Sequence, residues 1–275
     1  VTLMYGQMIP ISENLTFVEG KMPTDNMKDI NPPNALYYLK DGSGVLVDSS
    51  AGPVMCRAIE SLLLERPPVR EFVMVNTHGH LDHVANNSLI RQVRSQRITH
   101  LISSRAFETL DAYRYFGRMF TELNEFYDPM KAYQSRRALF ALVRLSRFIS
   151  VELGHQELTQ FYEKLMHRTF RKFEPIQMSR QTMTPLENEP ARKTTIGGET
   201  WTGWPILEGA VWILEERAHA PDEVIVYFEN EKHLHTADLT MELFPTWTDC
   251  DMMAIRNTQR RVLKMIANGA VNSLT

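Results

Sequence analysis

Short apolar or alternating runs separated by turn residues occupy the first hundred positions. Leu15-Thr16-Phe17-Val18 and Ala35-Leu36-Tyr37-Tyr38-Leu39 have strand composition. Gly44-Val45-Leu46-Val47-Asp48 follows Asp41-Gly42-Ser43-Gly44, whose turn residues predict a hairpin. From Val54 to Glu65, Met55, Ile59, Leu62 and Leu63 recur at helical spacing until Pro67-Pro68 stops the run. Glu71-Phe72-Val73-Met74-Val75-Asn76 is nearly all apolar, the pattern of a strand buried on both faces. Strand, helix, strand in that order predicts layered α/β packing. Towards the far end, strands are expected over residues 206–214, 223–228 and 233–237, and a helix over 251–267. The stretch 182–198, with Pro185, Pro190, Gly197 and Gly198, has loop character, and a strand is expected to start just after His100.

Between these parts the period changes. Leu139, Leu142, Val143 and Ile149 share one helical face, and Leu158, Phe161, Tyr162 and Leu165 share another. We therefore expect an α/β core formed by residues 1–104 and 181–275, interrupted by a helical insertion over 105–180.

Composition narrows the function classes. With 43% apolar and 23% charged residues the chain is of ordinary globular type, not disordered. A net charge of −3 lacks the basic excess of a nucleic-acid or membrane-surface binder. Cys56 and Cys250 alone provide neither a disulfide framework nor a Cys-rich zinc module. The longest unbroken apolar run, Ala138 to Val143, is far below the ~20 residues of a membrane helix. The chain opens on Val1, so the compartment stays open: a cytoplasmic one is the default expectation, and a removed N-terminal signal is compatible with the sequence. An oligomer is equally compatible. Charge is uneven, with +4 on residues 105–180 and −7 on the remainder.

One segment carries chemistry. Asn76-Thr77-His78-Gly79-His80-Leu81-Asp82-His83 places three imidazoles and a carboxylate within six residues, directly after the buried strand. Neutral imidazole and carboxylate are ligands of zinc and similar divalent metals. His78 and His80 can converge on one ion, while Asp82 and His83 turn towards a second beside it.

These residues match the HxHxDH signature and so resemble the metallo-β-lactamase superfamily, across most of the chain outside the insertion. The resemblance implies a four-layer αββα sandwich with its metals at one edge of the sheets. Gly44 to Gly52 resembles the family's early strand ending in an Asp, here Asp48. Arg217-Ala218-His219-Ala220-Pro221-Asp222-Glu223-Val224 resembles the segment with an isolated ligand His. Glu231 to Leu239 is similar to the strand ending in the metal-bridging carboxylate. By that match His78, His80 and His219 hold the first metal, Asp82 and His83 the second, and Asp238 bridges them. Two zinc ions are the implied complement, with iron or manganese as alternatives.

The implied activity is a metal-dependent hydrolase, with a metal-bound hydroxide attacking a carboxylic ester, lactone, thioester, phosphoester or sulfate ester. Asp82 and Asp238 would hold the water and assist proton transfer. Thr77 and Asp48 are candidates to orient ligand rings. An iron-dependent redox protein on the same fold and a ligand-binding member without turnover are the competing readings. The third stays open because the family's usual further His has no counterpart in the 37 residues after Asp238. His233 and His235, two apart on a strand and so on one face, are expected to be structural, as is His100.

The insertion resembles the helical block of alkylsulfatase-like members. Those members tend to carry Glu where this chain has His219 and Asp238. The plainer reading of the block is helices packed on the core with a solvated basic face. The sharper one is a lid over the metal edge, whose Arg136, Arg137, Arg144 and Arg147 beside many aromatics suit a small amphiphilic or anionic substrate.

Overall fold

A computed structural model of the chain describes residues 5–20, 32–109, 183–240 and 250–275. Two sheets face each other with a helix on each outer side, giving the αββα order. The first sheet contains β1 (Met8–Pro10), β2 (Leu15–Val18), β3 (Ala35–Lys40), β4 (Ser43–Val47), β5 (Val69–Val75), β6 (Ser95–Ile102) and β7 (Thr184–Pro185), in that spatial order. It is antiparallel up to β4 and parallel from β4 to β7. The second runs β13 (Ser273–Leu274), β12 (His233–His235), β11 (Val224–Phe228), β10 (Val211–Glu215), β9 (Glu199–Ile206), β8 (Arg192–Ile196). Helix α1 (Gly52–Glu65) joins β4 to β5, the short α2 (Leu81–Val84) follows β5, α3 (Ala106–Thr109) follows β6, and α4 (Met252–Ala267) precedes β13.

Period-two alternation builds all three apolar layers at once. Along β5, Phe72 and Met74 face α1 and its Met55, Ile59 and Leu62, whereas Val73 and Val75 face the second sheet. Along β11, Val224, Val226 and Phe228 close the inter-sheet layer, while Ile225 and Tyr227 meet Ile255, Val262 and Met265 of α4. Every one of these strand residues is buried, which is why both strands are almost wholly apolar.

Three sequence expectations are corrected. The run 206–214 is two strands folded back on each other, because Leu207, Glu208 and Gly209 all take positive φ (48°, 57° and 92°) and reverse the chain. The supposed loop over 182–198 contains β7 and β8, and Gly197-Gly198, at φ 58° and 81°, is the turn of the β8–β9 hairpin. Its strand was hidden because β8 is a polar, exposed edge. His100 lies inside β6, paired opposite Met74, instead of ahead of a strand. The helices expected between 110 and 182, and with them the lid, fall outside the described residues.

The arrangement brings several strand ends to one edge. Asp48 follows β4 and Asn76 follows β5; the His219 turn leads into β11, and Asp238 lies just past β12. The two sheets are tied there by the Val224 N–H, which donates to the Thr77 carbonyl at 2.9 Å.

Candidate metal centre

His78 and His80 lie more than 130 positions ahead of His219 and Asp238, yet one ligand atom from each of the four lies within 4.8 Å of all the others. His219 Nε2 stands 3.1 Å from His80 Nδ1 and 3.4 Å from an Asp238 oxygen, while His78 Nε2 is 4.0 Å from that oxygen. The His78 ring crosses those of His80 and His219 near-perpendicularly, at centroid distances of 4.4 and 5.2 Å. All three imidazoles are buried, and Asp238 is the more exposed member. His78 Nε2 is buried without a hydrogen-bond partner. An orphaned imidazole nitrogen aimed at two further imidazoles and a carboxylate is costly unless a cation fills the space. A set of three imidazoles and one carboxylate fits zinc or a similar divalent ion.

His83 stands against His78, with ring centroids 4.1 Å apart, but meets carboxylates instead. Its Nδ1–H donates to Asp48 at 2.8 Å, and its Nε2 lies 3.1 Å from the other Asp238 oxygen. Asp238 thus spans both groups of ligands, one oxygen towards each. Asp82 sits one residue before His83, on the first turn of α2. Of the six expected ligands, four form the tight cluster and His83 reaches it through Asp238.

Charge separates the two groups. Burial, reinforced by the neighbouring imidazoles, holds His78 and His80 well below the ordinary histidine range, so both are neutral and ready to donate a lone pair. Burial would lower His83 too, but Asp238 and Asp48 on either side raise it well above that range. Asp238 is correspondingly lowered: burial opposes ionisation, and the His83 contact overrides it. Asp82 is pushed up by burial and by the charge of Asp238.

No protein-family model matches the sequence, and no curated protein matches it either. Solved structures do match. The FIM-1 metallo-β-lactamase of Pseudomonas aeruginosa, in its mono-zinc form, aligns over 98% of this chain and 85% of its own, at 13% identity and a TM-score of 0.53. A metallo-β-lactamase from Erythrobacter litoralis aligns over 98% and 86%, at 13% identity and a TM-score of 0.50. The chain has the metallo-β-lactamase fold. Alkylsulfatase-like proteins are among its structural neighbours: the sec-alkylsulfatase Pisa1 of Pseudomonas sp. aligns over 98% of this chain at 14% identity and a TM-score of 0.51. The chain spans only 38% of that alkylsulfatase's length.

In this metallo-β-lactamase fold the ligand loops are held by polar groups, several of which sequence reasoning missed. Asp48 and Thr77 were anticipated. The Asp48 carboxylate accepts from Thr77 N–H and Oγ1 at 2.8 and 2.7 Å, and Thr77 Oγ1 is 3.0 Å from His78 Nδ1. Asp222 was not anticipated. Its carboxylate accepts the Gly79 N–H at 2.6 Å, joining the segment after His219 to the loop between His78 and His80. Glu223 accepts the His219 N–H at 2.9 Å and Glu216 accepts the Ala218 N–H at 2.7 Å. Burial and the nearby Glu216 push the Glu223 carboxyl well upward, so a proton is retained between the two acids. Below the first loop, the Asn76 amide donates to the His83 carbonyl at 3.3 Å and its oxygen accepts from His100 Nε2–H at 2.6 Å. Acids in the otherwise apolar lead into β11 were the available signal for Asp222 and Glu223.

Proposed function

We propose that the protein is a metal-dependent hydrolase of an ester-like substrate. The observation that carries this reading is the convergence of His78, His80, His219 and Asp238, largely shielded from solvent, at the sheet edge. His78, His80 and His219 would hold the first ion, Asp82 and His83 a second, with Asp238 between them. A divalent ion held there would supply the Lewis acidity that brings the pKa of a coordinated water towards ~7 and polarises an ester oxygen. The protein's own contribution is placement. Asp222, Glu223 and Asp48 fix the ligand loops before substrate arrives, so little reorganisation remains at the moment of reaction. Asp238, less buried than the histidines, would face incoming substrate as an ionised carboxylate, and Asp82, whose carboxyl is pushed up, would be suited to hold a proton in transfer.

The 105–180 block belongs to this reading as a substrate-selecting lid. Its two flanks meet at the metal edge, where Leu101 and Ile102 pair with Thr184 and Pro185. Glu187 accepts from Ser103 Oγ and Ser104 N–H, each at 2.7 Å, and Arg105 reaches the carbonyl of Pro221, two residues past His219. Replacing Arg144 and Arg147 with Gln should then raise KM for an anionic long-chain ester more than for a neutral short one; equal responses would remove the lid from the reading.

The test of the main reading is a panel of carboxylic ester, lactone, thioester, phosphoester and sulfate ester, run alongside elemental analysis of protein purified without added metal. Zinc content with turnover of one substrate class, both lost on chelation, is expected. Bound metal with no turnover on any member would favour a binding protein, and visible absorption from bound iron would favour redox chemistry.

A further inference from the structure

His233 and His235 belong to a polar chain that the proposed reaction does not use. Ser273 Oγ is 2.8 Å from His233 Nδ1, and His233 Nε2 is 3.0 Å from Thr275 Oγ1. The same hydroxyl is 3.0 Å from His235 Nδ1. His235 Nε2 then points at Asp48, 3.8 Å from the carboxylate oxygen that accepts His83 Nδ1–H. The protons along it follow from chemistry. An ionised carboxylate can only accept, so His235 carries its proton on Nε2 and accepts from the Thr275 hydroxyl at Nδ1. That hydroxyl in turn accepts from His233 Nε2–H, and His233 Nδ1 accepts from Ser273.

The position of His235 is unusual in one respect. The residue is 3% exposed, and its Nε2 has no hydrogen-bond partner although it is within ion-pair distance of Asp48. Asp48 itself is wholly buried in a left-handed conformation (φ 56°) at the end of β4, and its carboxylate must serve Thr77 and His83 together. A buried imidazole N–H without a hydrogen-bond partner is costly, and the ionised Asp48 carboxylate 3.8 Å away attracts it.

We propose that His235 is a positioning residue for the second half of the metal site: it fixes the Asp48 carboxylate, and through it the His83 ring. This rests on the metal-site reading above. His235 itself touches neither ion, and the contact crosses from the β12–β13 edge of one sheet to the β4 end of the other. Removing the Nε2–H takes away the attraction on that side of Asp48, lets the carboxylate shift within its Thr77 contacts, weakens its hold on His83 Nδ1–H, and loosens the second ion while leaving the first alone.

The experiment uses the whole 275-residue chain, stripped of metal and titrated with cobalt(II), in the wild type and in His235→Phe and His235→Gln. Phe keeps the ring without a donor; Gln keeps a donor near Nε2. In His235→Phe the second cobalt ion should bind about tenfold more weakly and the first within twofold, with His235→Gln restoring the wild-type pattern. A second readout is the ring-nitrogen NMR spectrum of His83 in metal-free protein. Its downfield Nδ1–H signal should move upfield and exchange about tenfold faster in His235→Phe, but not in His235→Gln. Thr275→Val, which only removes the hydroxyl anchor, should shift the same signal in the same direction, and it serves where His235→Phe fails to fold. If wild type takes up no cobalt, the metal-site reading fails and the His83 spectrum alone decides. A His83 signal unchanged by both His235→Phe and Thr275→Val, or His235→Gln behaving like Phe, overturns the proposal.

Discussion

His78, His80 and His219 face one another across a space enclosed by rings, whereas His83, beside His78, lies between two carboxylates. His78 and His80 are buried and held neutral, and His78 Nε2 has no hydrogen-bond partner; His83 is balanced by its own neighbours. The same side chain thus does two jobs, decided by what the fold places against it. Rings that converge on one another and on a single carboxylate oxygen gain from a cation, which takes up the lone pair of a nitrogen such as His78 Nε2 that has no donor of its own. A ring between Asp48 and Asp238 is already satisfied and must exchange a hydrogen bond for a metal bond. The difference teaches that metal affinity should be unequal across the site even though both halves draw ligands from one eight-residue segment.

The strongest way to break this comparison is to remove a member of the first group. His78→Ala should weaken the tighter ion by about 100-fold or more and abolish hydrolysis of whichever ester the panel identifies. The metal-free variant should melt close to metal-free wild type, because the stabilisation lost is that of ligand binding. Full stoichiometry at both sites in His78→Ala, measured by elemental analysis after dialysis, would show that the ring cluster does not hold an ion.

A chelator titration sharpens the comparison without mutation. Raising the chelator concentration should remove one ion at about tenfold lower chelator than the other, giving two resolved steps. Restoring metal should refill the tighter site first. A single step would mean that the two halves bind alike, and that an unforeseen ligand offsets the carboxylates already on His83.

Much of this was legible from the chain. Four chemistry-bearing residues in one short segment after a buried strand need no long-range information, and β3, β5, α1 and α4 carry clear periodicity. The partnerships around the site do not. Asp222 supports Gly79 across 143 positions, and His235 finds its anchor on Thr275, 40 positions later, only because β13 pairs with β12. A carboxylate that accepts a backbone N–H leaves no pattern in sequence, since any loop residue can supply the donor. The β8–β9–β10 region failed for a different reason. Its reversals rest on left-handed residues inside apolar or polar runs, and an exposed edge strand such as β8 has no buried face to generate alternation.

The smallest expected effect concerns His100, which supports the first loop from below and lies outside the ligand cluster. Burial alone lowers this imidazole from 6.5 to about 4, and among the described residues its Nε2–H donates to Asn76. In the folded protein it therefore stays neutral where the unfolded chain takes up a proton. The sign follows directly: above pH ~6.5 both states are neutral and His100 contributes no pH dependence, while between ~6.5 and ~4 the unfolded state gains protons and stability falls. Between pH 6.5 and 5.5 the loss from this one group is about 1 kcal/mol. His100→Gln retains an amide donor for Asn76 and removes the titration. Urea unfolding of metal-free protein at those two pH values should therefore show a drop smaller by about 1 kcal/mol in the variant than in wild type, with metal stoichiometry unchanged in both. If the variant loses as much stability on acidification as wild type, His100 is charged in the fold or reached by water. If instead it loses an ion, the support beneath the loop is part of what distinguishes the two halves of the site, and the contrast between ring-against-ring and ring-against-carboxylate is too simple.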